Sequence, residues 1–231
     1  MILMALIFFI VSGCGGGGGG GGRFTLPGEI PTGTGGTGGT GGTGGTGGTG
    51  GETNPDALIL SGWEDMKLNS PSSAISKFNQ VLQNPNLTDA QKADAYNGLG
   101  WATTQTSGLE AAANYFTNAY PLNNEAKVGM AAVFIQRAQK TGIGQAVSLL
   151  ESVGLNDPAF RFVPVHTSIG VNNADAHAML GFAYAWRDEN RGQPGSDSDK
   201  AKAQIAVART EDPSGDSPVG QIYKALQDMG L

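Results

Sequence analysis

Cysteine is almost absent. Cys14 is the single one in 231 residues, so the chain can form neither an internal disulfide nor a cysteine-based metal site. Histidine is nearly as scarce, and the spacing of His166 and His177 fits no common metal-ligand pattern. Basic charge is short as well: 14 Lys and Arg stand against 20 Asp and Glu, a net charge of −6. An acidic chain with interspersed charges argues against a nucleic-acid partner, which needs a clustered basic face. No nucleophile–base pair stands out, and no carboxylate pair has reason for a shifted pKa. The polyglycine tracts lack the strand–helix context and the Lys-Ser/Thr ending of a phosphate loop. Neither an enzyme nor a cofactor is therefore expected. Asp188 and Glu189 read as exposed charges that end a helix.

Long apolar runs are missing too. The longest, Met1–Val11, is shorter than the ~20 residues that span a bilayer and has the length of a signal-peptide core. It ends in Val11-Ser12-Gly13-Cys14, which resembles the lipobox of bacterial lipoproteins. That resemblance implies a signal peptide over residues 1–13 and an acylated Cys14 as the mature N-terminus. Gly15, where many inner-membrane lipoproteins carry aspartate, implies an outer-membrane address facing the periplasm.

Residues 14–54 are dominated by glycine: an unbroken run of eight from Gly15 to Gly22, then Thr-Gly-Gly six times from Thr34 to Gly51. Glycine loses the most backbone entropy on ordering, and these tracts bring no apolar side chains to offset it. They predict a disordered tether of about 40 residues with a reach on the order of 35 Å.

Residues 55–231 are helical in pattern throughout, which predicts an all-α domain. A small residue, a large apolar residue four later and another apolar residue three further on recur as Ala74-Phe78-Val81, Ala112-Phe116-Ala119, Ala146-Leu150-Val153 and Ala201-Ile205-Ala208. Prolines follow at 85, 121, 158 and 213. In the preceding helices the pairs Ser61-Gly62, Leu99-Gly100, Val133-Phe134 and Leu180-Gly181 occupy one position. The pattern resembles the tetratricopeptide repeat (TPR), and Ala112 and Ala146 stand 34 residues apart, the period of that family. The resemblance implies a TPR-like α-solenoid with units near 55–88, 93–126, 127–160 and 174–213, closed by a capping helix over 217–230. Phe134, where a small residue belongs, predicts a splayed third pair. Thr88 with Gln91, and Ser107 with Glu110, read as capping boxes. Ser70 and Ser217 read as caps ahead of Pro71 and Pro218. Residues 159–173 break the pattern. Within them FRFVPVHTSI reads as an extended insertion, with His166 a satisfied loop histidine and not a catalytic one.

In TPR arrays first-helix side chains line a concave groove. The position after each small pair holds Trp63, Trp101, Ile135 and Phe182, with Trp186 a turn beyond Phe182. Asn97, Gln105 and Gln139 are candidates for hydrogen bonds to a bound backbone. Aromatic anchors of this kind make binding hot spots. The resemblance thus implies a lipid-anchored scaffold of the bacterial envelope that binds a peptide segment of another envelope protein. The alternative is a small-ligand or glycan (muropeptide) binder using the same tryptophans.

Overall fold

The computed structural model describes residues 54–188 and 195–231. Cys14, the signal sequence, the glycine tracts and Glu189 lie outside the described residues. Among the described residues there are nine α-helices: α1 (Pro55–Lys67), α2 (Pro71–Leu82), α3 (Asp89–Ser107), α4 (Leu109–Ala119), α5 (Asn124–Arg137), α6 (Lys140–Val153), α7 (Asn173–Arg187), α8 (Asp197–Glu211) and α9 (Pro218–Asp228). One 3-10 turn (Thr167–Ile169) precedes α7, and no strand occurs among the described residues. No described helix is long and apolar enough to cross a membrane. The fold is all-helical.

Each helix packs on the next, and α1, α3, α5 and α7 also touch one another in succession. The recurring apolar triplets explain the stacking. Phe78 of α2 is fully buried between α1 and α3. Both neighbours present glycine to its ring: a Cβ at Gly62 would sit 2.7 Å from it, and one at Gly98 closer still. Phe116 of α4 repeats the device between Gly100 of α3 and Gly129 of α5, where an added Cβ would lie 2.5 Å from the ring. Each phenylalanine also meets a first-helix tryptophan edge-on, Trp63 with Phe78 at 5.3 Å and Trp101 with Phe116 at 5.1 Å between centroids. Such edge-to-face pairs add to the burial energy.

The third pair, α5 and α6, is not wedged apart by Phe134. Gly142 of α6 faces it, so that a Cβ there would lie 3.5 Å from both the Phe134 ring and its carbonyl oxygen. The bulk has moved to the first helix and the small residue to the second, while Leu150 fills the phenylalanine position with no exposure. Helix α9 packs on α7 and α8, burying Val219, Ile222 and Leu226.

Five of the nine described helices start with a side-chain cap bond, and those that begin after Ser70, Gly108, Gln139 and Ser196 do not. Thr88 and Gln91 form a full capping box on α3, and Ser217 accepts from the Gly220 N–H. Ser107 and Glu110 do not form one. Gly108, at φ 88°, is the cap residue of α4, and Glu110 is drawn into a bidentate pair with Arg137 of α5. Ser70 occupies its cap position without a side-chain cap bond. Asp188 is half-buried, not exposed: it accepts from the backbone N–H and hydroxyl of Ser198, capping α8 from outside the helix.

A capping box that the sequence reading passed over joins Asn172 and Asp175 at the start of α7. Burial pushes the Asp175 carboxyl up to about 6, with the Asn172 N–H opposing and Asp212 adding to the rise. The folded form therefore keeps its proton up to about 6, whereas the unfolded chain releases it from about 3.8. Across that window the folded state holds more protons, so this group's contribution to stability falls as pH rises. Asp175→Asn keeps the acceptor and removes the charge. Its stability relative to wild type should climb with pH over the window and reach up to about 3 kcal/mol at neutrality. Urea unfolding of both proteins at a series of pH values checks this, and a constant difference would refute it.

Candidate functional site

Helix α3 is the long one because a capping box starts it and Gly108 ends it. Its nineteen residues carry one stripe, Asp94, Asn97, Trp101 and Gln105, spaced at three or four residues and therefore on one face. Asn97 is wholly buried and Trp101 almost so, at 1% exposure, while Gln105 is exposed. Trp63 of α1 stands beside the stripe and donates its indole N–H to Asp94 Oδ1 at 3.0 Å.

Against this face lies the insertion. Residues 160–166 run without regular structure and end in the 3-10 turn, which packs on α1. We call residues 160–169 the strap. Phe162 and Ile169 are buried and anchor its two ends, whereas Val163 and Val165 point outward at 77% and 83% exposure. At its base His177 of α7, with no exposure, sets one ring nitrogen against Gln204 Oε1 and the other 2.9 Å from the Phe160 carbonyl oxygen. Gln204 in turn donates to the Leu155 carbonyl at 2.8 Å. Asn173 Oδ1 accepts from the Phe162 N–H at 2.6 Å, and its amide donates to Glu211, which also pairs with Arg161.

At the centre sits His166. Its ring stacks on Trp63 with centroids 3.7 Å apart and planes 7° from parallel. Its backbone N–H donates to Glu125 Oε1 at 2.7 Å, and its Nδ1 lies 2.8 Å from Glu125 Oε2. That contact with an acceptor makes Nδ1 the protonated ring nitrogen. Nε2 stands 3.9 Å from Asp94. Glu125, only 3% exposed, also accepts from the Asn97 amide at 2.7 Å. Two turns beyond Asn97, Gln105 donates to the Ser168 carbonyl at 3.3 Å. Burial raises the Asp94 carboxyl above the usual range. His166 and the Trp63 N–H pull against that rise, and Glu125 adds to it. A cavity of about 500 Å³ opens alongside, lined by Asp94, Glu125, Phe162, His166 and, at its rim, exposed Leu122.

Of the sequence candidates, Trp63, Asn97, Trp101 and Gln105 gather on or under the strap-facing surface. Ile135 is buried in α5, and Gln139 is exposed at the start of α6 without a cap bond. Phe182 and Trp186 form a separate pair on α7, rings 5.8 Å apart, with Trp186 40% exposed. The sequence reading passed over Asp94, Glu125, Ser168 and Asn173. It saw no carboxylate pair, yet Asp94 and Glu125 flank one imidazole. Asp94 was legible as the member of the stripe three residues before Asn97. Glu125 was not, because only the fold brings it there. His166 is a loop histidine with its N–H and Nδ1 both engaged, as expected, and it lies half-buried at the hub of the cluster.

No family model matches the chain, and neither a curated protein nor a solved structure does.

Proposed function

We propose that the chain is a lipid-anchored scaffold of the bacterial envelope. In this reading its helical domain is a TPR-like array that holds an extended segment of another envelope protein along the first-helix face. The observation that carries it is the strap itself. A non-helical stretch of polypeptide lies on that face, and side chains from α3, α5 and α7 grip its main chain: Gln105 at the Ser168 carbonyl, Glu125 at the His166 N–H, Asn173 at the Phe162 N–H. Main-chain hydrogen bonds combined with pockets for alternate side chains are how extended peptides are recognised. The shared phenylalanine wedges and the closing helix α9 support the array reading. The lipobox-like Val11–Cys14 supports the anchor, with the glycine-rich residues between it and α1.

The test uses the full chain with residues 163–168 replaced by Gly and Ser, and a labelled synthetic peptide copying residues 160–169. The peptide should bind this variant and bind wild type at least ~10-fold more weakly, because a tethered competitor acts at high effective concentration. Equal binding to both would remove the face from consideration. Cys14→Ala should move the protein from the membrane to the soluble fraction on cell fractionation. Continued pelleting with membranes would refute the anchor.

A further inference from the structure

The strap tells what backbone the face accepts. The groups around His166 tell which side chain the face selects.

Three observations meet there. A flat ring lies on the Trp63 indole at stacking distance, so the seat is shaped for a planar group. Two carboxylates, Asp94 and Glu125, face that group from different helices, and among the described residues no Lys or Arg is paired with either of them. A buried carboxylate, Glu125, beside a part-buried one of like sign, Asp94, is costly unless a cation stands between them. The strap also satisfies the face incompletely. Asn97 Oδ1, Trp101 Nε1 and Ser168 Oγ are all buried without a hydrogen-bond partner. Buried polar atoms are almost always paired in a finished site. Here the occupant leaves an acceptor and a donor of α3 unused.

We propose that Trp63, Asp94 and Glu125 form a seat for a planar cation, the guanidinium of an arginine carried by an extended partner peptide, and that His166 fills this seat in cis as a built-in competitor. The inference rests on the peptide-holding reading above and adds the side chain that the peptide must present. Arginine fits better than lysine. Its planar head stacks on an aromatic face and offers a fork of N–H donors to carboxylates on two sides, whereas an ammonium is a compact point charge. Asn97 Oδ1 is a further acceptor beside Glu125 for that fork. The neighbouring cavity, with Leu122 at its rim, leaves room for an apolar residue flanking the arginine. The net charge of −6 favours approach of a basic segment.

The experiment is a peptide series on the full-length protein with residues 163–168 replaced by Gly and Ser, which removes the competing strap and empties the seat. Peptides of sequence FRFVPVXTSI carry Arg, Lys or Ala at X, and affinity is read by fluorescence anisotropy. The Arg peptide should bind roughly tenfold tighter than the Ala peptide, with Lys between them, and the advantage should shrink as salt is raised. Adding Glu125→Gln should bring the Arg and Ala peptides to nearly equal affinity. Equal binding of Arg and Ala peptides to this strap-replaced protein overturns the cation seat while leaving peptide holding intact. Failure of every peptide to bind overturns both. A second arm needs no added peptide: thermal unfolding of His166→Arg and His166→Leu in the full chain. His166→Arg should melt at or above wild type and His166→Leu below it. The reverse order overturns the proposal.

Discussion

Phe116→Ala is expected to destabilise the helical domain by about 3–5 kcal/mol, the range for truncating a core aromatic. The ring has no exposure and fills the space between α3 and α5 while belonging to α4. Cavities cost most where the surroundings cannot collapse into them. The walls here are the backbones at Gly100 and Gly129, which have no side chains to swing inward, and the edge-on contact with Trp101 disappears as well. A loss of that size is a large share of the 5–15 kcal/mol typical of a native domain. Urea unfolding followed by helical circular dichroism measures it, and a cost below about 1 kcal/mol would mean that the ring is not the wedge described. The reverse substitution is instructive. Gly100→Ala should also destabilise, by about 1–3 kcal/mol, through overpacking against the same ring.

His177→Ala should cost about 3 kcal/mol or more, by a different route. The imidazole is fully buried and ties α7 to Gln204 of α8 and to the Phe160 carbonyl at the base of the strap. Removing it opens a cavity and takes away the ring N–H that serves one of the two facing oxygens, on Gln204 or Phe160, a desolvation cost of about 1–3 kcal/mol. Because Gln204 also holds the Leu155 carbonyl, the end of α6 loses part of its support. Hydrogen exchange separates this from a general loss of stability. The Phe162 amide should exchange faster in His177→Ala even under conditions where α1 and α2 remain protected. Unchanged exchange at Phe162 would contradict the role given to His177.

Local features were the legible ones. Helical periodicity, the Ala-Phe spacing in the second helices and the glycines at 62 and 100 could be read directly from the chain. The partner glycines could not. Gly98 lies 20 residues after Phe78, and Gly129 lies 13 after Phe116, chiefly because Gly98 sits a turn deeper into α3 than Gly129 does into α5, so no fixed period connects ring and glycine. The box expected of Ser107 and Glu110 failed since Arg137, a distant residue, offers Glu110 a bidentate partner that a one-dimensional pattern does not register. The strap shows the same limit more sharply. Its β-branched and aromatic composition announced an extended segment, but His166 rests on a tryptophan 103 residues earlier. Nothing in the spacing of the two encodes that stack. The groove candidates read as a row open to a partner peptide, whereas the fold fills part of that row with its own chain.

Because Phe78 and Phe116 each serve two first helices, the seams of the domain do not coincide with its loops. A cut between α2 and α3, or between α4 and α5, would leave half a socket on each fragment: a bare aromatic on one side and a glycine notch on the other. The hairpins are therefore not interchangeable bricks. A break at either loop separates a ring from one of its two glycines. Fragments that end at either of these two loops are therefore expected to be less stable than the whole domain.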